Sequence, residues 1–232
     1  MLRFDILSLF PEMFGGVLGS SILKRALDKG LVSYHHHQLR EFTRDPHRKV
    51  DGKPFGGGPG MVLMCQPVID AVTAIEAMDA TPATRIVFTP AGEKLSQRMA
   101  EDLIKLPRLL LVAGHYEGFD ERILDLLKPR EISIGDYVLS GGELPAMVLM
   151  DAVVRLIPGV LGDEQSPHGE SFGAADQTIQ GGLEYPQYTR PREFQGVSVP
   201  EILFSGNHAA IEQWRREQSR KKTAERRPDL LN

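Results

Sequence analysis

Three short loops hold the residue types best suited to gripping a small ligand: Thr89-Pro90-Ala91-Gly92, Gly114-His115-Tyr116-Glu117-Gly118, and Gly135-Asp136-Tyr137-Val138-Leu139-Ser140-Gly141-Gly142-Glu143. Glycines at this density let backbone amides and carbonyls approach a flat ring such as adenine directly. Each loop follows an expected strand. Ligands of open α/β sheets bind beyond the carboxyl ends of the strands, so the three loops are expected to converge on one crevice. Any one loop alone is explained by tight turning; three at corresponding positions favour a binding crevice. The standard phosphate-binding patterns are absent: there is no G-x-G-x-x-G, and the only Gly-Lys pair, Gly52-Lys53, runs into Pro54.

Charge is distributed unevenly. The formal net charge is -4, yet Trp214 to Arg227 holds seven Lys or Arg against two Glu, while Glu117 to Asp136 holds six acids against three bases. A second basic segment, Arg40 to Lys53, has five bases against three acids. Basic segments around an acidic middle suit one polyanionic partner and one cationic ligand, although solvated faces produce similar runs. Arg155 stands alone in Val153-Val154-Arg155-Leu156-Ile157-Pro158, and on residue type it reads as a snorkelling or paired core arginine. His35-His36-His37 does not read as a metal site, because neighbours on a strand face opposite ways. Cys65 is the only cysteine, which excludes an internal disulfide; in its apolar run a buried, inert thiol is expected.

Positioning these groups requires a sizeable core. Leu2 to Ser8 and Leu31 to Leu39 read as strands flanking a helix over Ser21 to Lys29 that Gly30 ends. Thr43 to Gly60, rich in glycine and proline, is expected to be a large irregular loop, of the kind that is usually functional or disordered. Helices over Val68 to Met78, Leu95 to Leu106, Asp120 to Leu127 and Leu144 to Ile157 then alternate with strands over Arg85 to Thr89, Leu109 to Ala113 and Glu131 to Ile134. Short apolar strands alternating with helices imply a parallel sheet covered on both faces. The texture changes after Pro158. We expect a core domain over 1–160, a linker over 161–182 and a small helical domain over 183–232, with helices over Val199 to Phe204 and His208 to Arg220. Asp5, Pro11 and Glu12 interrupt the opening segment, and Asp151, Arg155 and Pro158 interrupt Leu144 to Leu161. Neither a secretion signal nor a membrane span is expected, which places the chain in the cytoplasm.

Four motifs carry a resemblance. Gly56 to Met61 (GGGPGM), Gly114 to Arg122 (GHYEGFDER), Ser133 to Ala146 (SIGDYVLSGGELPA) and Tyr188-Thr189-Arg190-Pro191 closely resemble the bacterial tRNA (guanine-N1)-methyltransferase family, TrmD. The likeness runs from Leu9-Phe10-Pro11-Glu12-Met13-Phe14 to Trp214-Arg215.

The resemblance implies an α/β fold of the knotted SPOUT methyltransferase type, a parallel sheet ending in a deep trefoil knot, with a small helical C-terminal domain. It implies a homodimer with active sites shared between subunits, and methyl transfer from S-adenosylmethionine to N1 of guanosine 37 in the anticodon arm of tRNA. By resemblance Gly114, Ile134, Gly135, Asp136, Tyr137, Val138 and Leu139 grip adenine and ribose, with Thr89, Pro90, Tyr116, Gly118, Ser133, Gly141, Gly142 and Pro145 around them. Glu117 lies toward the cationic end, or else serves as a structural acid. Arg155 matches the family's arginine for O6. Where the family has an aspartate before Ser-Phe, this chain reads Gly169-Glu170-Ser171-Phe172, so Glu170 offers the base carboxylate on a stem one methylene longer. Asp176 is its rival. Asp51 and Gly60 resemble the part that approaches the target base, and Arg190 and Arg215 the part that meets tRNA, with Arg44, Arg48 and Lys49 assisting. The family is associated with Mg2+, but no ligand set in the sequence places an ion. The competing reading is a non-catalytic RNA-binding protein that retains the cofactor crevice.

Overall fold

The computed structural model describes residues 1–162, 170–173 and 182–231, which fall into two compact units, Met1–Leu161 and Gly162–Asn232. In the first unit the elements run β1 (Leu2–Ser8), α1 (Gly15–Leu18), α2 (Ser21–Asp28), β2 (Val32–Gln38), β3 (Asp51–Gly52), β4 (Val62–Leu63), α3 (Cys65–Ala77), β5 (Thr84–Lys94), α4 (Gln97–Leu103), β6 (Arg108–Val112), α5 (Glu121–Leu127), β7 (Arg130–Ser133) and α6 (Glu143–Val154). The main sheet has the order β2-β1-β6-β5-β7 and every pairing in it is parallel.

Strand periodicity divides the core into two layers. Phe4 and Ile6 of β1, Leu109 and Leu111 of β6 and Ile86 of β5 face α2, α4 and α6. Their neighbours Leu7, Leu110, Val112 and Val87 face α3 and α5. Successive side chains point to opposite faces, so strands buried on both sides must be apolar throughout, as Arg108-Leu-Leu-Leu-Val112 nearly is.

Polar groups inside this core are paired. Asp5 is fully buried and accepts from Arg108 Nε at 2.7 Å, from Arg3 Nη2 at 2.9 Å and from His37 Nε2 at 2.9 Å. Burial acts to raise its pKa, but these three donors outweigh it and hold the carboxyl well below the usual range. Arg108 also donates to the carbonyls of Ile75 at 2.6 Å, Asp79 at 2.9 Å and Thr81 at 3.0 Å, closing the C-terminal end of α3.

Several expectations are corrected. The stretch Thr43 to Gly60 is not wholly irregular, since Asp51 and Gly52 pair with Leu63 and Val62. β5 runs on to Lys94, so Thr89 to Gly92 is not a loop after a strand but an excursion within one. Phe88 and Glu93 both register against Ile132, and the residues between are extruded. α6 ends at Val154, which puts Arg155 at the helix end and not inside it. Cys65 is half-buried at the start of α3; burial and the Asp120 carboxylate push its thiol pKa up.

The second unit contains a hairpin of β8 (Glu193–Phe194) and β9 (Val197–Ser198), a 3-10 turn over Glu201–Phe204 and α7 (His208–Arg226). Val199–Phe204 was expected as a helix, but only this single turn forms, entered through Pro200. α7 begins at Asn207, whose side chain accepts from the Ala210 amide at 3.1 Å, and it outruns the expected end by six residues, from Arg220 to Arg226. One face holds the chain near Leu183: Ser219 Oγ donates to the Leu183 carbonyl at 2.6 Å, Thr223 Oγ1 accepts from its amide at 2.9 Å, and Lys222 Nζ donates to the Glu184 carbonyl at 2.9 Å. Among the described residues, no helix is long and apolar enough to cross a membrane.

Candidate active site

The three glycine-rich segments, the excursion within β5 and the loops beyond the carboxyl ends of β6 and β7, meet around a cavity of about 370 Å³. Thr89 and Pro90 of the β5 excursion form one side. Gly114, Tyr116, Glu117 and Gly118 follow β6, while Ser133, Ile134, Gly135, Tyr137, Val138, Leu139, Gly141, Gly142 and Pro145 complete the wall. Asp136 is not part of the lining; it is exposed, 3.3 Å from Lys94 Nζ.

Backbone contacts join the second and third loops. The Gly142 amide donates to the Gly114 carbonyl at 2.7 Å, and His115 pairs with Gly141 in an antiparallel bridge. A Cβ on Gly142 would lie 2.8 Å from Ala113 Cα and from the Gly114 nitrogen, so the glycine is required for this approach. Tyr116 adopts φ 62, a left-handed conformation unusual for a bulky residue and held here by the surrounding contacts.

Behind the crevice, Glu143 opens α6 and is only 2% exposed. Its Oε1 accepts from Ser8 Oγ at 2.7 Å, and its Oε2 lies 3.9 Å from His115 Nδ1. That nitrogen is buried and has no hydrogen-bond partner among the described residues. The His115 ring is wedged edge-on between Phe10 and Tyr116, with centroids 5.0 and 5.1 Å away.

The lining carries the carboxylates of Glu117 and Glu121 and no Lys or Arg among the described residues. Such a wall attracts a ligand with positive charge and repels phosphate. Phe88, Phe119, Glu121, Leu124 and Ile132 also line it and were missed from sequence; His115 and Ser140 line it too, within the expected loops, but were given no role of their own. His115 and Phe119 belong to a motif already singled out. Phe119 could have been found by asking what lies against Gly114, whose Cβ would come within 2.6 Å of its ring.

The Gly56 to Met61 loop docks on the same wall. The Glu117 amide donates to the Met61 carbonyl at 2.9 Å and the Leu63 amide to the Gly118 carbonyl at 2.9 Å. Gly60 has φ 80, and a Cβ there would collide with the Glu117 side chain. Asp51, paired with Leu63, is tied to the crevice through the same strand.

The remaining expected residues stand elsewhere. Arg155 caps the C-terminal end of α6 and does not line the cavity. Twelve helical residues separate the two ends of α6, a rise of about 18 Å. Glu170 belongs to the second unit, where the Phe172 amide donates to the Gly182 carbonyl at 2.9 Å and the Glu184 amide to Ser171 Oγ at 3.0 Å. Asp176 lies outside the described residues. Arg190 is exposed, and the Arg215 guanidinium lies 4.8 Å over the Tyr185 ring.

Sequence comparison finds relatives along the whole chain. The family described as tRNA (Guanine-1)-methyltransferase TrmD matches residues 2–232. A Rhodopirellula baltica protein named tRNA (guanine-N(1)-)-methyltransferase is 55% identical over 231 residues, 99% of this chain and 94% of that protein. A Ruminiclostridium cellulolyticum protein of the same name is 54% identical over 232 residues, 100% of this chain and 97% of that protein. A Shouchella clausii protein, also so named, is 53% identical over 230 residues, 99% and 91% respectively. A match that takes in the crevice, the Gly60 loop and the basic C-terminal helix together means that the chain belongs to the tRNA (guanine-1)-methyltransferase TrmD family.

Proposed function

We propose that this protein transfers a methyl group from S-adenosylmethionine to N1 of guanosine 37 in tRNA. The observation that carries the donor assignment is the crevice wall, with two carboxylates, no cation among the described residues, and glycines close enough for backbone groups to serve as ligands. These residues fit a flat adenine joined to a cationic end. When bound, S-adenosylmethionine supplies an electrophilic methyl on positively charged sulfur, which keeps the bonding electrons as the methyl departs.

The chain's own side chains must then ready the acceptor. Guanine N1 bears a proton near neutral pH, so its lone pair is available only as a base removes that proton. Glu170 takes it, and N1 forms the new bond to carbon. Negative charge spreads to O6 during the transfer, where the Arg155 guanidinium donates; that interaction strengthens at the transition state and accelerates the step. Asp176 is the competing base.

Arg155 stands a helix length from the crevice loops of its own chain. We therefore place one active site across two chains of a homodimer, with the crevice from one and Arg155, the 161–182 linker and Glu170 from the other. The family's trefoil knot is assigned to the segments whose loops meet at Gly114 and Gly142. Asp51 and Gly60 approach the target base, and Arg190 and Arg215 hold the anticodon arm within the 183–232 domain. A cytoplasmic location follows from the tRNA substrate. Mg2+ is not placed; among the described residues no group of three or more His, Cys, Asp or Glu is arranged to hold a metal.

The test is methyl transfer from labelled S-adenosylmethionine to unmodified tRNA carrying guanosines at 36 and 37, beside a transcript altered at 37. Transfer that requires guanosine 37 and collapses in Glu170→Ala supports both the activity and the base. Cofactor binding without transfer would leave a non-catalytic RNA-binding protein.

A further inference from the structure

The second unit contains a cavity of about 630 Å³ between the first half of α7 and the segment from Tyr185 to Tyr188. We propose that it receives one splayed nucleobase of the RNA substrate, stacked on Trp214. This inference rests on the tRNA methyltransferase reading above and adds to it a base-binding subsite in the small unit.

The lining is that of a stacking platform with a polar edge. Trp214 and Tyr188 stand with ring centroids 6.4 Å apart, tilted by 50°, so they are not stacked face to face on one another. Tyr188 is 46% exposed, so its ring is open to a ligand at the mouth of the cavity. The Arg215 guanidinium lies over Tyr185, and its Nε is buried with no hydrogen-bond partner among the described residues. Glu212, which also lines the cavity, lies 3.8 Å from Arg215 Nη1. An unsatisfied donor beside a carboxylate acceptor complements the edge of a base, which presents both acceptors and N–H groups. Unpaired RNA bases are commonly held between aromatic rings and arginine planes with hydrogen bonds to their edges. Beyond the cavity, α7 continues with Arg216, Arg220 and Lys221, the charge needed for the adjoining phosphates.

The chemistry of the reaction supplies a reason for such a subsite. N1 lies on the pairing edge of guanine, and an enzyme that acts on a base removes it from its stack, at a cost of a few kcal/mol. A neighbour left unstacked by that movement regains a surface on Trp214, which offsets part of that cost.

Trp214 is the only tryptophan in the chain, so its emission reports on this cavity alone. The full-length protein is titrated with unmodified tRNA and with a set of transcripts each carrying one abasic site in the anticodon loop, following tryptophan emission and, separately, retention on filters. Intact tRNA is expected to quench the emission. One abasic transcript is expected to lose the quenching and to bind about 5- to 100-fold more weakly. Trp214→Ala should raise the KM for tRNA by a similar factor without changing the KM for the methyl donor, and Trp214→Phe should restore most of it. Methyl transfer with emission unchanged at saturating tRNA, or equal quenching by every abasic transcript, overturns the subsite alone. Absence of methyl transfer by the wild type overturns the activity and the subsite with it.

Discussion

The Glu143 carboxylate accepts a 2.7 Å hydrogen bond from the Ser8 hydroxyl, a residue 135 positions earlier in the chain. The bond fixes the start of α6 to the end of β1, and the Ser8 oxygen in turn accepts from the Phe10 amide at 2.8 Å. A buried acid in the first turn of a helix is also favoured by the helix dipole. The wall behind the crevice is thus a polar strut, with the His115 ring resting against it.

Glu143→Ala removes the acceptor for Ser8 and is expected to destabilise the protein by about 1–3 kcal/mol. Glu143→Gln keeps a carbonyl acceptor and should lose less. Urea unfolding of the two variants checks the order, and a larger rise in the KM for S-adenosylmethionine in the alanine variant would tie the strut to the crevice.

Asp5 makes a prediction in pH. Its carboxyl is held below the ordinary value, so its contribution to stability is present above the unfolded pKa of about 3.9 and is lost as pH falls through the lower folded value. Wild type should lose stability on acidification below that point, and Asp5→Asn should show a flatter dependence. At neutral pH the same variant leaves Arg108 buried without its anion, which should cost about 3–5 kcal/mol.

Gly142→Ala places a methyl 2.8 Å from the backbone of Ala113 and Gly114 and must push the two loops apart. Binding of S-adenosylmethionine, followed by calorimetry, should weaken by about tenfold or more, the effect of losing roughly 1.4 kcal/mol. tRNA affinity should change little.

For the chemical step, Arg155→Ala should lower kcat by about 100- to 1000-fold and Glu170→Ala by about 100- to 10,000-fold. Sharing of sites between chains is checked by mixing Gly142→Ala with Arg155→Ala. Each alone is defective, but a mixed dimer regains one intact site, so random exchange should restore about a quarter of wild-type activity.

The buried strands were legible because a sheet covered on both faces demands apolar runs, as Leu109-Leu110-Leu111-Val112 provides. The convergence of the loops after β6 and β7 was legible through the strand ends they follow. Thr89 to Gly92 misled because proline and glycine read as punctuation, whereas the pairing with β7 resumes beyond them at Glu93. β3 and β4 are two residues each, too short for any alternation to register. The end of α6 was misplaced because Leu156 and Ile157 continue the apolar pattern past the last helical turn. Roles resting on Glu170 and Arg155 came from resemblance, since nothing in local spacing joins either the linker or the far end of α6 to the crevice loops.

The acid-lined crevice bears on turnover as well as capture. In the proposed reaction a donor that enters with a charged sulfur becomes uncharged once its methyl is gone, and the attraction from Glu117 and Glu121 weakens at that moment. The same two carboxylates that favour the charged donor would then hold its uncharged product less tightly, which helps the crevice to empty for the next round.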